Sequence, residues 1–231
     1  MASNTVASPP PTIHIVDDDP VGVEAVTRLV QSMNVPTRSF DSAESFLSFY
    51  DDQPGCIVTD HRLVGYTGLE LQAQLLEKGY NIPIIIVTAF ARTAMTVQAV
   101  KSGAITVLDK PYSDDEMWQA IRFALAEDKR QREEVARHAE VAHRLASLTQ
   151  KERLVLERVL EGKANKAMAS ELEVSLRTIE NRRRSIFTKL EVNSVAELVT
   201  LVLRFDGSES AAKGSNSVSQ PNSLPQFFKE T

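Results

Sequence analysis

Four apolar runs in the first half of this sequence stop at polar residues capable of chemistry. Ile13-His14-Ile15-Val16 stops at Asp17, Asp18 and Asp19, Cys56-Ile57-Val58-Thr59 at Asp60, Ile84-Ile85-Ile86-Val87 at Thr88, and Ala104 to Leu108 just before Lys110. Singly, none is unusual, because aspartate often caps a following helix and threonine is a frequent strand residue. Asp19, followed by Pro20, reads as such a cap. Gathered in one crevice, however, three carboxylates repel one another and raise each other's pKa unless a cation sits among them. Mg²⁺, a hard ion that favours oxygen ligands, suits that place. A carboxylate so placed can attack phosphorus to form an acyl phosphate, provided the transferring oxygens are neutralised. Mg²⁺, the Lys110 ammonium and the Thr88 hydroxyl would share that task, lysine as a compact point charge.

Positioning these residues together is work for a parallel sheet. With Val35 to Phe40 added, five apolar runs alternate with amphipathic stretches between Thr12 and Ala126, giving five βα units. Asp41/Glu44 and Ser113/Glu116 have the spacing of capping boxes. Runs of β-branched residues without polar alternation suit strands buried on both faces. The expected fold of residues 12–126 is therefore α/β, a doubly wound (βα)5 parallel sheet of flavodoxin-like type, in which ligands bind beyond the carboxyl ends of the strands.

Residues 127–148 are charged, rich in alanine and without Gly or Pro, and should form a helical linker. Val135, Ala139, Ala142 and Leu145 fall near one face, as a short coiled coil or a solvated spacer would have it. Residues 149–206 read as an all-α domain of four helices. Thr149/Glu152 is a capping box, Gly162 a stop, Asn165 and Ser175 caps of the second and third helices, and Ser194 with Glu197 the start of the fourth. Tails 1–11 and 207–231, rich in Ser, Pro and small residues, are expected to lack structure. In the third helix Ile179, Ile186 and Leu190 make an apolar seam, and the opposite face carries Arg177, Asn181, Arg184 and Thr188, flanked by Arg182, Arg183 and Lys189. Such a helix is either an ordinary amphipathic one with a solvated basic face or one that reads the DNA major groove. The charge balance fits a regulatory domain joined to a nucleic-acid binder but is equally what chance variation between two domains gives, so both readings of the helix stand. Residues 12–127 hold 8 basic against 16 acidic side chains, a balance of −8, and residues 149–205 hold 11 against 8, a balance of +3.

On Ile15-Val16-Asp17-Asp18-Asp19, Val58-Thr59-Asp60, Val87-Thr88-Ala89 and Asp109-Lys110-Pro111 the sequence resembles the bacterial two-component response regulators, in particular the FixJ branch. The resemblance implies a receiver domain in which Asp60 is the phosphoacceptor, charged by a sensor histidine kinase or a small phosphodonor. It implies Asp18 as a direct Mg²⁺ ligand with Asp17 beside it, the Arg62 carbonyl as another ligand, Thr88 and Lys110 on the phosphoryl oxygens, and a cis Lys110–Pro111 bond. Two positions depart from the family. Leu63-Val64 stand where Met-Pro is usual after the phosphoacceptor, and Val107 stands where an aromatic residue usually precedes the lysine by three. Leu148 to Arg153, Glu161 to Lys166 and Ser175 to Glu180 look like the LuxR-type DNA-binding domain, which makes residues 164–190 a helix-turn-helix. By position, Lys166, Thr178, Arg182 and Lys189 would hold the backbone of double-stranded DNA, and Glu180, Asn181 and Arg184 would face base edges. Arg182 replaces a frequent histidine. Because a single small helix-turn-helix has limited contact area and two-fold pairing doubles it, a homodimer on paired half-sites is expected, with its surface on the fourth and fifth receiver helices near Trp118.

Other readings are weaker. A phosphatase-like enzyme turning over at Asp60 would want a second carboxylate two residues on, where this chain has Arg62. A receiver serving only as a dimerisation module remains the alternative. The lone Cys56 reads as a buried small hydrophobe, and His14 and His61, without paired bases, as packing residues. No apolar stretch is long enough for a bilayer and the first residues carry no secretory pattern, so the expected location is cytoplasmic.

Overall fold

A computed structural model describes residues 9–32, 34–89 and 104–212, the last six by backbone alone. The elements are β1 (Thr12–Val16), α1 (Pro20–Gln31), β2 (Thr37–Phe40), α2 (Ala43–Phe49), β3 (Gly55–Asp60), α3 (Gly68–Glu77), β4 (Ile84–Thr88), β5 (Thr106–Asp109), α4 (Asp114–Ala146), α5 (Gln150–Leu160), α6 (Asn165–Glu171), α7 (Leu176–Leu190) and α8 (Val195–Ala212). The helix expected between β4 and β5 lies outside the described residues. The chain divides into two compact units at Arg132–Glu133, within α4.

In the first unit the five strands form one parallel sheet in the order β2-β1-β3-β4-β5. Alternation along the strands sends Ile13 and Ile15 to a core with Val26, Val30, Met117 and Ile121, and Val16, Ile57 and Ile84 to the opposite core with Phe46, Leu71 and Leu75. Both faces are thus covered, as the unbroken apolar runs require. At the amino ends of the strands the buried Asp128 accepts hydrogen bonds from Gly55 N (2.9 Å) and Arg132 Nε (2.9 Å), tying α4 to the sheet. Gly55 has φ +150°, and a Cβ there would meet the Thr12 carbonyl oxygen at 1.8 Å, so only glycine fits.

Local signals fared unevenly. Asp19, Ser175 and the boxes at Thr149/Glu152 and Ser113/Glu116 cap as expected. Two expectations need correction. Ser42, not Asp41, caps α2, through Ser45 N, while Asp41 accepts from the hydroxyls of Ser42 and Ser45. Asn165 lies inside α6, whose cap position is Ala164, and its side chain instead accepts a hydrogen bond from Arg183 Nη1 on α7. The helical path of α8 also continues to Ala212, past the expected end at residue 206.

His14 is buried on β1 among Phe40, Phe46 and Tyr50, at ring distances of 6.1, 5.4 and 5.6 Å, and neither ring nitrogen has a hydrogen-bond partner. Burial, reinforced by the Arg38 charge, lowers its pKa from 6.5 to about 4. The unfolded chain therefore takes up a proton near pH 6.5 that the folded chain refuses until about pH 4. Stability should be complete above pH 6.5 and fall by about 3 kcal/mol as the pH drops through that window. His14→Phe should flatten this part of the stability–pH curve measured by urea unfolding of the first unit; an unchanged slope would show that another group is responsible.

The second unit has its own core. Leu145, Leu148, Val155, Leu156, Met168 and Ile179 are buried together with Ile186, Leu190, Leu198 and Val202. Of the four residues expected along one face of residues 127–148, Leu145 belongs to this core, Ala142 packs against it and Val135 is exposed. The end of that segment is thus part of the folded unit rather than a solvated spacer.

Candidate functional site

Strand register alone brings the candidate residues to one edge of the sheet. Val16 pairs with Thr59, Asp60 with Val87, and Thr88 with Asp109, so Asp17, Asp60, Thr88 and Lys110 end or follow adjacent strands. The sheet order changes direction between β1 and β3, the switch point at which such sheets bind ligands. Lys110 Nζ donates to Asp60 Oδ1 at 2.9 Å and lies 3.7 Å from Asp17 Oδ2. The Lys110 backbone N–H donates to the Thr88 carbonyl at 2.7 Å, and the Lys110–Pro111 bond is cis.

Each carboxylate has a different setting. Asp17 is buried, its Oδ1 accepting from Asp19 N at 2.9 Å. Burial raises its pKa even though that N–H and the Lys110 charge pull the other way. Asp60 Oδ2 accepts from Arg62 N at 2.7 Å, which turns the chain immediately after the carboxylate. Asp18 is exposed and faces a cleft between α1 and β2 that Asp41 also lines. For Lys110, burial disfavours the ammonium, but the hydrogen bond to Asp60 and the charges of Asp17 and Asp60 outweigh it and the pKa rises. Two carboxylates against one ammonium leave a net negative charge.

Among the described residues no three histidine, cysteine or acidic side chains form a ready ligand cluster. The carboxylates that converge on Lys110, those of Asp17 and Asp60, offer hard oxygen atoms around an uncompensated charge, and this chemistry fits Mg²⁺ rather than a soft metal.

The two departures have structural answers. Leu63 is buried in the core, Val64 is exposed, and Gly65 at φ +79° closes a turn in which Leu63 N donates to Tyr66 O at 3.0 Å. Val107 packs half-buried on the same core. Sequence reasoning passed over Tyr112, which is half-buried next to Pro111. Burial first, then the charges of Asp17, Asp114 and Asp60, raise its pKa against the pull of Lys110, placing its hydroxyl within the field of this cluster. Its only sequence signal was adjacency to Lys110-Pro111. Trp118 is half-buried, with the Arg122 guanidinium 5.0 Å from its ring centroid.

In the second unit α7 buries Ile179, Ile186 and Leu190, as the seam required, and exposes Arg177, Glu180, Asn181, Arg184 and Thr188. Lys166 on α6 is exposed, and Thr178 and Arg182 are half-buried. Lys189 is placed differently from the expectation of a backbone contact. Its ammonium donates to Glu152 Oε2 at 2.7 Å and to the Ser147 carbonyl at 3.1 Å, inside the unit. Glu152 also accepts from Ser185 Oγ at 2.6 Å and from Thr149 N and Oγ1 at 2.8 Å each. One carboxylate thus caps α5 and grips α7. Burial alone would raise its pKa, but these donors hold it at about 2.

The "Response regulator receiver domain" family model matches residues 13–122, and the "Bacterial regulatory proteins, luxR family" model matches residues 146–202. The response regulator protein TodT of Pseudomonas putida is 36% identical over 197 residues, covering 85% of this chain and 87% of that protein. The transcriptional regulatory protein FixJ of Azorhizobium caulinodans is 36% identical over 192 residues, 83% of this chain and 91% of that one. Among solved structures, the response regulator StyR matches with a TM-score of 0.78 at 36% identity, over 85% of this chain and all of that one. Full-length FixJ from B. japonicum matches at 0.52 and 33% identity, over 86% and 98% of the two chains.

Proposed function

The chain belongs to the bacterial response regulators that join a receiver domain to a LuxR-family DNA-binding domain, and on that premise we propose that phosphorylation of Asp60 controls its binding to DNA. The observation that carries this reading is the Lys110 ammonium held 2.9 Å from Asp60 and 3.7 Å from Asp17 at the carboxyl edge of the sheet. A lysine so placed offsets the two carboxylates and would neutralise oxygens as a phosphoryl group arrives on Asp60.

In this reading a sensor histidine kinase or a small acyl phosphate presents the phosphoryl group. One Asp60 carboxylate oxygen attacks phosphorus, the bond to the donor breaks, and the leaving group departs with its electron pair. Mg²⁺, when bound, neutralises phosphoryl oxygens; Asp17, Asp18, Asp60 and the Arg62 carbonyl would hold it. Lys110 moves from its hydrogen bond with the carboxylate to the phosphoryl group, and the Thr88 hydroxyl donates to another oxygen. The receiver is residues 12–126 and the DNA-binding domain residues 149–206, and the helical segment 127–148 between them contributes Leu145 and Leu148 to the core of the second.

On the DNA side, α7 enters the major groove of a duplex, presenting Glu180, Asn181 and Arg184 to base edges, while Lys166, Thr178 and Arg182 hold phosphates. Lys189 serves the domain's own packing. A homodimer on paired half-sites supplies the contact area that one small domain lacks.

The test begins with a duplex recovered by selection from random sequences. Acetyl phosphate with Mg²⁺ should tighten binding of the wild-type chain and leave Asp60→Asn unchanged; equal affinity in both would reduce the receiver to a dimerisation module. On the same duplex, Arg184→Ala and Asn181→Ala should each cost about 1–3 kcal/mol of specific binding by fluorescence anisotropy. Lys166→Ala should weaken all duplexes alike and lower the salt dependence. Equal losses on specific and random DNA for Arg184→Ala would remove it from base reading.

A further inference from the structure

Gly22 lies on the first turns of α1 with ordinary helical backbone, so no left-handed conformation calls for a glycine there. Alanine would make a better helix. Space decides the matter: a Cβ on Gly22 would lie 2.5 Å from Asp17 Oδ2, closer than unbonded atoms approach, and a tight 3.2 Å from its Cγ. The carboxylate of Asp17 therefore rests on the bare Cα of Gly22.

Asp17 cannot easily yield. Its Oδ1 is held by Asp19 N at 2.9 Å, its Oδ2 faces Lys110 Nζ at 3.7 Å, and the residue is 8% exposed at the end of β1. An aspartate has only two side-chain torsions, so turning Oδ2 away from a Cβ also turns Oδ1 off its N–H and carries the carboxylate away from Asp60.

We propose that Gly22 is a positioning residue of the phosphoacceptor centre, and that its missing side chain is what keeps the Asp17 carboxylate aimed at Lys110 and Asp60, where a divalent cation needs an oxygen ligand. This rests on the function proposed above. In the absence of metal the variant Gly22→Ala must give up the Asp19 N–H bond to Asp17, offset in part by the helix preference of alanine; with metal it must also choose between the clash and the ligand.

The experiment is a calorimetric titration of the full chain with Mg²⁺, paired with thermal melting at each metal concentration. Gly22→Ala should bind the ion about tenfold more weakly than wild type and show a smaller Mg²⁺-induced rise in melting temperature. Added to Asp17→Asn, it should cause no further loss, because the group it displaces is already neutralised. Wild-type affinity in folded Gly22→Ala, or a loss that persists undiminished beside Asp17→Asn, would overturn the proposal. Should Gly22→Ala fail to fold, recovery of folding in Asp17→Ala/Gly22→Ala would establish the same steric relation, and failure of that pair would refute it. A wild-type chain that binds no Mg²⁺ would instead remove the function on which the inference stands.

Discussion

Asp60→Asn is expected to take up no detectable phosphoryl group from acetyl phosphate and Mg²⁺, while the wild-type chain gains one. The change is nearly isosteric, so the fold should persist: Asp60 is partly exposed, and the amide oxygen can still accept from Arg62 N, as Oδ2 does at 2.7 Å. What disappears is the nucleophile, because a neutral amide does not attack phosphorus at any useful rate. The charge pattern changes too. Lys110, whose raised pKa depends partly on its hydrogen bond to Asp60, keeps Asp17 as a charged partner, at 3.7 Å. Far-UV circular dichroism and the melting curve should match wild type. Phosphoryl uptake at the wild-type level by a folded Asp60→Asn chain would mean that another residue is the acceptor.

Glu152→Ala is expected to destabilise the DNA-binding domain by about 3 kcal/mol and with it to abolish DNA binding. The carboxylate is 9% exposed and serves four donors, so truncation removes its half of the α5 capping box, leaving the Thr149 cap on the residue 152 N–H, and strands the Lys189 ammonium and the Ser185 hydroxyl of α7. Recognition-helix placement and domain stability are thus bound to one group. Because its folded pKa is about 2 against 4.5 when unfolded, its contribution is whole above pH 4.5 and fades as the pH falls toward 2. Trp118, the only tryptophan, lies in the first unit, so its fluorescence should not follow this loss, whereas the helical circular dichroism signal should. Loss of less than about 1 kcal/mol would show that the network is replaceable by solvent.

Much of this architecture is written locally. Strands of the first unit were visible because a doubly covered parallel sheet demands unbroken β-branched runs, and the residues that end them had to share an edge once the strands were parallel. Capping signals succeeded where the cap and its third residue close on each other, as at Thr149 and Glu152. They failed where a side chain had a better long-range partner, as for Asn165 and Arg183, or where two polar residues compete, as for Asp41 and Ser42. Lys189 and Glu152, 37 positions apart, show the same limit. A basic residue on a basic helix gives no sign that a buried carboxylate from another helix will claim it. Gly22 is the subtler case. A glycine inside a helix looks like a weak point in the sequence, and only the packing of Asp17 against it reveals a reason. Tyr112 was likewise hidden, since nothing in its spacing tells which way a half-buried phenol turns.

Reductive trapping bears most directly on the proposed centre. After incubation with acetyl phosphate and Mg²⁺, borohydride converts an aspartyl phosphate to homoserine, and peptide mass mapping then reads which residue changed. Homoserine at position 60, and no other altered aspartate, is the result expected from Lys110 and Asp17 converging on that side chain. An unaltered Asp60 in a chain that has taken up phosphate elsewhere, or in one that takes up none, would contradict it.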